Sequence, residues 1–251
     1  MNNKKLKDCA GFTLLELTIA LAMTAIVMVL TGSGLLAIMN ADRRNRSEIN
    51  ARLELEQALA FMSDEIKMSS QIDVNPNLKI LVDNFQFKPS KLLDKIEPIL
   101  VLYPSPDRGL TQPIIYYLAT PPKTSVWQGP QTIYRWGPTL MQDGSYSDGD
   151  GHSLEELSPQ KLANVEVEYF NEPLIDGISD RSPLQITDIS TNSILNCDSQ
   201  TSSSVPPAND RKGFYLCVTR SGKSAHIWMH KHPEGMGKTQ SVSALVVARS
   251  N

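Results

Sequence analysis

From Phe12 to Met39 the chain reads as one apolar block in which Glu16 is the only ionisable residue. A helix needs about 20 apolar residues to cross a hydrocarbon layer. Leu17 to Met39 supplies that length with only small polar interruptions. The block is longer than a secretory h-region of about 7 to 15 residues, and no A-x-A site follows it, so it is expected to stay in the mature protein. Beyond it the pattern turns amphipathic. Leu55, Leu59, Met62 and Ile66 recur at spacings of four, three and four, with Glu54, Glu56, Asp64 and Glu65 between them. This predicts a helix with one buried face. A helix continuous from Phe12 to about Met68 would be a spine of roughly 85 Å at 1.5 Å per residue. Its weakest point is Gly32-Ser33-Gly34, either a place for the helix to melt or a small-residue contact for packing in lipid.

After Leu78 the helical period gives way to short β-branched and aromatic runs punctuated by proline and glycine. Strands are predicted over Leu78–Val82, Ile99–Tyr103, Ile114–Leu118, Thr132–Trp136, Val165–Phe170, Phe214–Thr219, Ala225–Met229 and Ala244–Ala248. Most lie too close together for helical crossovers, so the sheet should be antiparallel. The expected fold is α+β, with a long N-terminal membrane-anchored helix packed on an antiparallel β-sheet head. The segments Asp143–Gly151 and Thr201–Asp210 read as exposed loops, and no internal repeat is visible.

Composition changes this picture little. With 251 residues, 41% of them hydrophobic, there is material for one sizeable core. A net charge of -3 offers no basic excess for a nucleic-acid backbone, so no nucleic-acid partner is expected. Charge does not settle orientation either: Lys4, Lys5 and Lys7 precede the apolar block and Arg43, Arg44 and Arg46 follow it.

The residues Gly11-Phe12-Thr13-Leu14-Leu15-Glu16-Leu17, behind a short basic leader, resemble the cleavage and methylation motif of type IV pilin-like prepilins. The resemblance implies a leader of residues 1–11 removed between Gly11 and Phe12 by a prepilin peptidase/methyltransferase, and N-methylation of Phe12. It implies a transmembrane and assembly helix over 12–39, an amphipathic continuation over 40–70 and a β-rich head over 71–251. It also implies an inner-membrane, single-pass protein with a periplasmic head, whose partners are other pilins or pseudopilins, the inner-membrane assembly platform and membrane lipid. A carboxylate inside the membrane costs about 2.5–3.5 kcal/mol on insertion scales, so Glu16 should have a partner. The candidate is the Phe12 amine of the same or a neighbouring chain; the alternative is a residue snorkelling to headgroups. In length and layout the chain is similar to the J-type pseudopilin of type II secretion and the W-type minor pilin. The Cys197 region, Gly213-Phe214-Tyr215-Leu216-Cys217 and the C-terminal strand are similar to hormogonium polysaccharide secretion pseudopilins of filamentous cyanobacteria.

Cys9 lies in the leader, which leaves Cys197 and Cys217 either as a disulfide, in an oxidising compartment, or as two packed thiols. Asp143, Asp148 and Asp150 crowd a glycine-rich stretch in a way calcium favours, but the spacing does not fit an EF-hand, and a solvated turn explains it better. His226, His230 and His232 would share one strand face with Trp228 between them, without an acidic or cysteine ligand to complete a metal site, so surface histidines are expected. Gly222-Lys223-Ser224 and Gly237-Lys238-Thr239 lack the glycine that a P-loop needs five residues earlier. No metal, cofactor or catalytic residue is therefore assigned and no enzymatic activity is expected. The expected function is a structural subunit, a minor pilin or pseudopilin that initiates or caps a pilus-like filament; the alternative is a minor pilin with a ligand-binding head.

Overall fold

The computed structural model describes residues 13–74, 77–85, 87, 94–105, 110, 112–127, 129–141, 145–148, 150–157, 161, 167–180, 213–218, 222–231 and 239–248. The chain divides into two compact units, Met1–Arg46 and Ser47–Asn251.

In the first unit the described residues are helical from Leu14 onward and all exposed. They form the opening part of α1 (Leu14–Met68). Polar side chains that interrupt the apolar run bond to their own helix: Thr24 and Thr31 donate to the Ala20 and Val27 carbonyls at 2.7 and 2.8 Å, and Ser33 to Leu30 at 3.0 Å. A hydroxyl satisfied in this way can enter an apolar medium without an unpaired donor. The helix is unbroken through Gly32 and Gly34, and nothing lies within 4 Å of a side chain built at either glycine.

The second unit begins with the rest of α1, where Leu55, Leu59, Met62 and Ile66 are buried as the period predicts. Each such side chain contributes about 1.5–3 kcal/mol. The strands are β1 (Ser69–Val74), β2 (Asp94–Pro104), β3 (Ile114–Thr120), β4 (Gln131–Pro138), β5 (Tyr169–Ile178), β6 (Phe214–Val218), β7 (Ser224–Lys231) and β8 (Gln240–Val247), with a short helix α2 (Leu78–Phe85) after β1. They form one antiparallel sheet in the order β1-β2-β3-β4-β5-β7-β6, with β8 paired to β7. Two cores follow from the alternation of side chains along each strand. Leu100, Leu102, Ile114, Tyr116, Leu118 and Ile133 face the α1 stripe, while Val101, Ile115, Tyr117, Ala119, Tyr134 and Trp136 pack with Leu81 of α2 and Phe87. β3 is buried on both faces, which explains its uninterrupted apolar sequence Ile-Ile-Tyr-Tyr-Leu-Ala.

Several expectations need correction. Leu78–Val82 is not a strand but lies in α2: Asn77 caps the helix, its side-chain oxygen accepting from the Lys79 amide at 2.9 Å, and Leu81 points into the core. β1 was not expected; it follows α1 directly, and its pairing with β2 outweighs weak local propensity. The strand expected over Val165–Phe170 is β5, displaced to Tyr169–Ile178, where pairing with β4 carries it through Pro173 with register shifts. The expected exposed loop Asp143–Gly151 includes buried Ser145, Tyr146 and Ser147, with Tyr146 in the α1-side core. Glu65, which stands between the stripe residues in the sequence, is only 1% exposed. Thr201–Asp210 lies outside the described residues.

Candidate functional site: the start of the helix and the faces of the head

At the beginning of α1 Glu16 folds back on Thr13. The Thr13 amide donates to Glu16 Oε2 at 3.0 Å and the Thr13 hydroxyl to the same oxygen at 3.1 Å, while the Glu16 amide donates to Thr13 Oγ1 at 3.3 Å. This is a capping box, in which a Thr N-cap and a Glu three residues later satisfy each other's amides. The sequence analysis missed Thr13, although Thr-x-x-Glu before an apolar run is its signature. The arrangement gives the carboxylate a local partner and holds it at the positive end of the helix dipole. Gly11 and Phe12 lie outside the described residues. One 18-residue window of α1 has a mean hydropathy of 2.2 and is not buried by the rest of the chain. The helix is thus long and apolar enough to cross a membrane, and fits a single-pass anchor.

Glu65 sits where α1 packs on the sheet. Arg135 of β4 donates to it through Nη2 at 2.7 Å and through Nε at 3.0 and 3.2 Å, and the Tyr116 hydroxyl of β3 donates to Oε2. Arg135 is 2% exposed, with the Phe61 ring 5.7 Å from its guanidinium carbon. Burial disfavours its charge, but the Glu65 carboxylate outweighs burial and holds the guanidinium above its ordinary pKa. The Tyr116 hydroxyl is pushed well up by burial and then by Glu65. Gly137 makes the space: a side chain there would come within 2.8 Å of the Arg135 guanidinium. Such a pair ties helix to sheet in one register, and removal of one member is costly. Register pairing places Tyr116 opposite Arg135, a meeting invisible in the sequence because Glu65 and Arg135 are 70 residues apart.

The predicted histidine face exists in part. His226, Trp228 and His230 alternate along β7 and form a ring stack with Tyr215 of β6: His226–Trp228 centroids lie 3.8 Å apart, Tyr215–Trp228 5.2 Å and Tyr215–His230 5.7 Å. His230, expected at the surface, is instead 1% exposed on a strand paired on both sides, and burial lowers its pKa to about 4, so it is neutral near pH 7. His232 lies outside the described residues, among which no three His, Cys, Asp or Glu side chains are grouped to hold a metal. Cys217 is disulfide-bonded, while Cys197 lies outside the described residues. Asp148 is engaged by its own loop: it accepts from the Asp150 and His152 amides at 2.8 and 3.0 Å and faces His152 Nδ1 at 3.1 Å. Those contacts, the His152 amide first, lower its pKa. A cation would have to displace them. Asp150 is exposed and Asp143 lies outside the described residues. Lys223 of the first glycine-lysine piece is structural, its ammonium donating to the Ser70 carbonyl at 2.6 Å. Gly222 before it has a φ of +65° and lies against β1, where its carbonyl accepts from the Ile72 amide at 3.0 Å.

Residues 6–32 match the prokaryotic N-terminal methylation motif. The match supports a type IV pilin-like prepilin, a class processed by a prepilin peptidase and assembled with other pilins. No curated protein and no solved structure matches the chain.

Proposed function

We propose that this chain is a minor pilin or pseudopilin, a non-enzymatic structural subunit that initiates or caps a type IV pilus-like or type II secretion-like filament, with polysaccharide export as the process it serves. In this reading the peptidase cuts between Gly11 and Phe12, Phe12 is methylated, the apolar part of α1 crosses the inner membrane and the head lies in the periplasm. Cys197 pairs with Cys217 in that oxidising compartment. The observation that carries the reading is the methylation-motif match, which overlaps the apolar start of α1 and includes Glu16.

Glu16 has two tasks in this proposal: it caps the helix with Thr13, and its charge meets the methylated amine of a neighbouring subunit to set the register. Two variants separate them. Glu16→Gln keeps a side-chain oxygen for the capping box but removes the charge, whereas Glu16→Ala removes both. Both variants should be processed normally and accumulate in the membrane, and both should be depleted from sheared filaments. If Glu16→Gln assembles like the unaltered chain while Glu16→Ala does not, capping is the whole role of the residue and the register argument fails. Intact-mass analysis of the chain from its host should give a methylated Phe12 terminus; a chain retaining Met1 to Gly11 would overturn the prepilin assignment.

A further inference from the structure

β8 is an edge strand: among the described residues it pairs with β7 and with no other strand. The phase of its hydrogen bonds follows from two contacts. The Ala248 amide donates to the Lys223 carbonyl at 2.6 Å, and the His230 amide, whose residue stands opposite Ser241, donates to the Gly213 carbonyl on the β6 side of β7 at 2.6 Å. Bonded and non-bonded partners alternate along an antiparallel pair. Val242, Ala244 and Val246 therefore bond to β7, while the amides and carbonyls of Ser241, Ser243, Leu245 and Val247 point away from it. The side chains divide in the same phase. Val246 is buried, and Val242 and Ala244 pack against the α1-side core. Ser241, Ser243, Leu245 and Val247 are exposed, Leu245 at 70% and Val247 at 60%. Gln240–Val247 also lacks the devices that blunt an edge, since it carries no charge and no proline and its register with β7 runs without a shift.

We propose that this edge is a docking site for an extended strand of a different protein, which adds to the sheet beside β8. Its outward amides and carbonyls recur at every second residue, about 6.8 Å apart, and another extended backbone complements such a row along its whole length. A metal ion, an anion or a small molecule satisfies one or two of these groups and leaves the rest. The side chains then select among strands. The exposed row is split, with hydroxyls at Ser241 and Ser243 and apolar groups at Leu245 and Val247. A second copy of β8 bonded antiparallel through all four residues sets Ser241 against Val247 and Ser243 against Leu245, so that both apolar side chains meet hydroxyls. A strand with apolar or aromatic residues opposite Leu245 and Val247, and hydroxyl-bearing residues opposite Ser241 and Ser243, gains at every cross-strand pair. On its other face it extends the α1-side core beside Val242 and Ala244. That the partner is another pilin-like subunit rests on the function proposed above; the demand for an extended backbone does not.

Amide hydrogen exchange on the full chain tests the edge directly. In lipid nanodiscs holding one chain each, the amides of Ser241, Ser243, Leu245 and Val247 should exchange freely and those of Val242, Ala244 and Val246 slowly. In membranes from the host the first set should slow by about 100-fold, with little change in the second. Protection of the first set already in the nanodiscs, or free exchange in both settings, overturns the site. Separately, a benzophenone amino acid in place of Leu245 should crosslink, in host membranes, to a peptide of a different protein in which apolar and hydroxyl-bearing residues follow the stated pattern. Adducts confined to lipid, to glycan or to a second copy of this chain overturn the proposal. An adduct of that pattern in a protein unrelated to pilins would keep the docking edge and count against the assembly reading instead. Ser243→Pro removes one outward amide and no bond to β7. The urea midpoint of the head should hold in this variant while the adduct falls about tenfold, and Ser243→Ala should leave both unchanged. An adduct undiminished by Ser243→Pro overturns the proposal. The exchange comparison needs no variant and decides independently.

Discussion

Glu16 and Glu65 are carried by the same helix into apolar sequence, and they are satisfied by opposite means. Glu16 is answered within one turn, by Thr13. The residues around it show bare apolar side chains, Leu14 at 81% exposure. Glu65 is answered across the fold, by Arg135 and Tyr116, with Phe61 against the guanidinium. The first half of α1 thus has its polar groups closed locally and its apolar surface open, whereas the second half has its apolar stripe closed by the sheet. A segment built the first way can move into lipid or against neighbouring helices without losing hydrogen bonds. One built the second way is committed to a single partner surface.

The largest effect should come from breaking the long-range pair. Arg135→Leu leaves Glu65 buried without its counter-charge and should cost about 4 kcal/mol of head stability, read as a lower urea midpoint. Glu65→Met combined with Arg135→Leu should recover much of that loss, because no charge is then buried alone. A double variant no more stable than the single would show that packing, and not the uncompensated carboxylate, sets the cost. Next is a matched pair of truncations on the one helix. Leu55→Ala, at a fully buried position, should cost about 3 kcal/mol, while Leu21→Ala, on the open half, should leave the head's unfolding unchanged. Equal losses would erase the distinction between the two halves.

The smallest effect is that of acid. His230 has a folded pKa of about 4, below its unfolded value of about 6.5. Between these values the unfolded head binds the extra proton, so stability rises with pH there. As pH falls from about 6.5 toward 4, His230 should therefore remove on the order of 2 kcal/mol. Near-UV circular dichroism, which reports head packing, should weaken while the helical signal of the first half of α1 persists. His230→Phe should flatten the response through that window. An unchanged acid response in this variant would assign it to other groups.

The sequence by itself determined the elements whose cause is local. The apolar block, the Leu55-Leu59-Met62-Ile66 stripe and the strands around Ile114, Thr132, Phe214, Ala225 and Ala244 are each set by a repeat of side chains along the chain. The capping box was equally legible, since Thr13 and Glu16 stand three apart before an apolar run. Even the place of Glu65 could have been read: it lies three residues after Met62 and one before Ile66, inside the buried stripe at helical spacing. What it would meet there could not, because Arg135 reaches it only after β4 has paired with β3 and the sheet has closed on α1. Tertiary structure alone likewise decided that Leu78–Phe85 is a helix, that Ser69–Val74 is a strand, and that Glu54, Asp176 and Trp127 line one cavity. Short segments carry too little propensity to fix their own conformation, and long-range pairing supplies the difference.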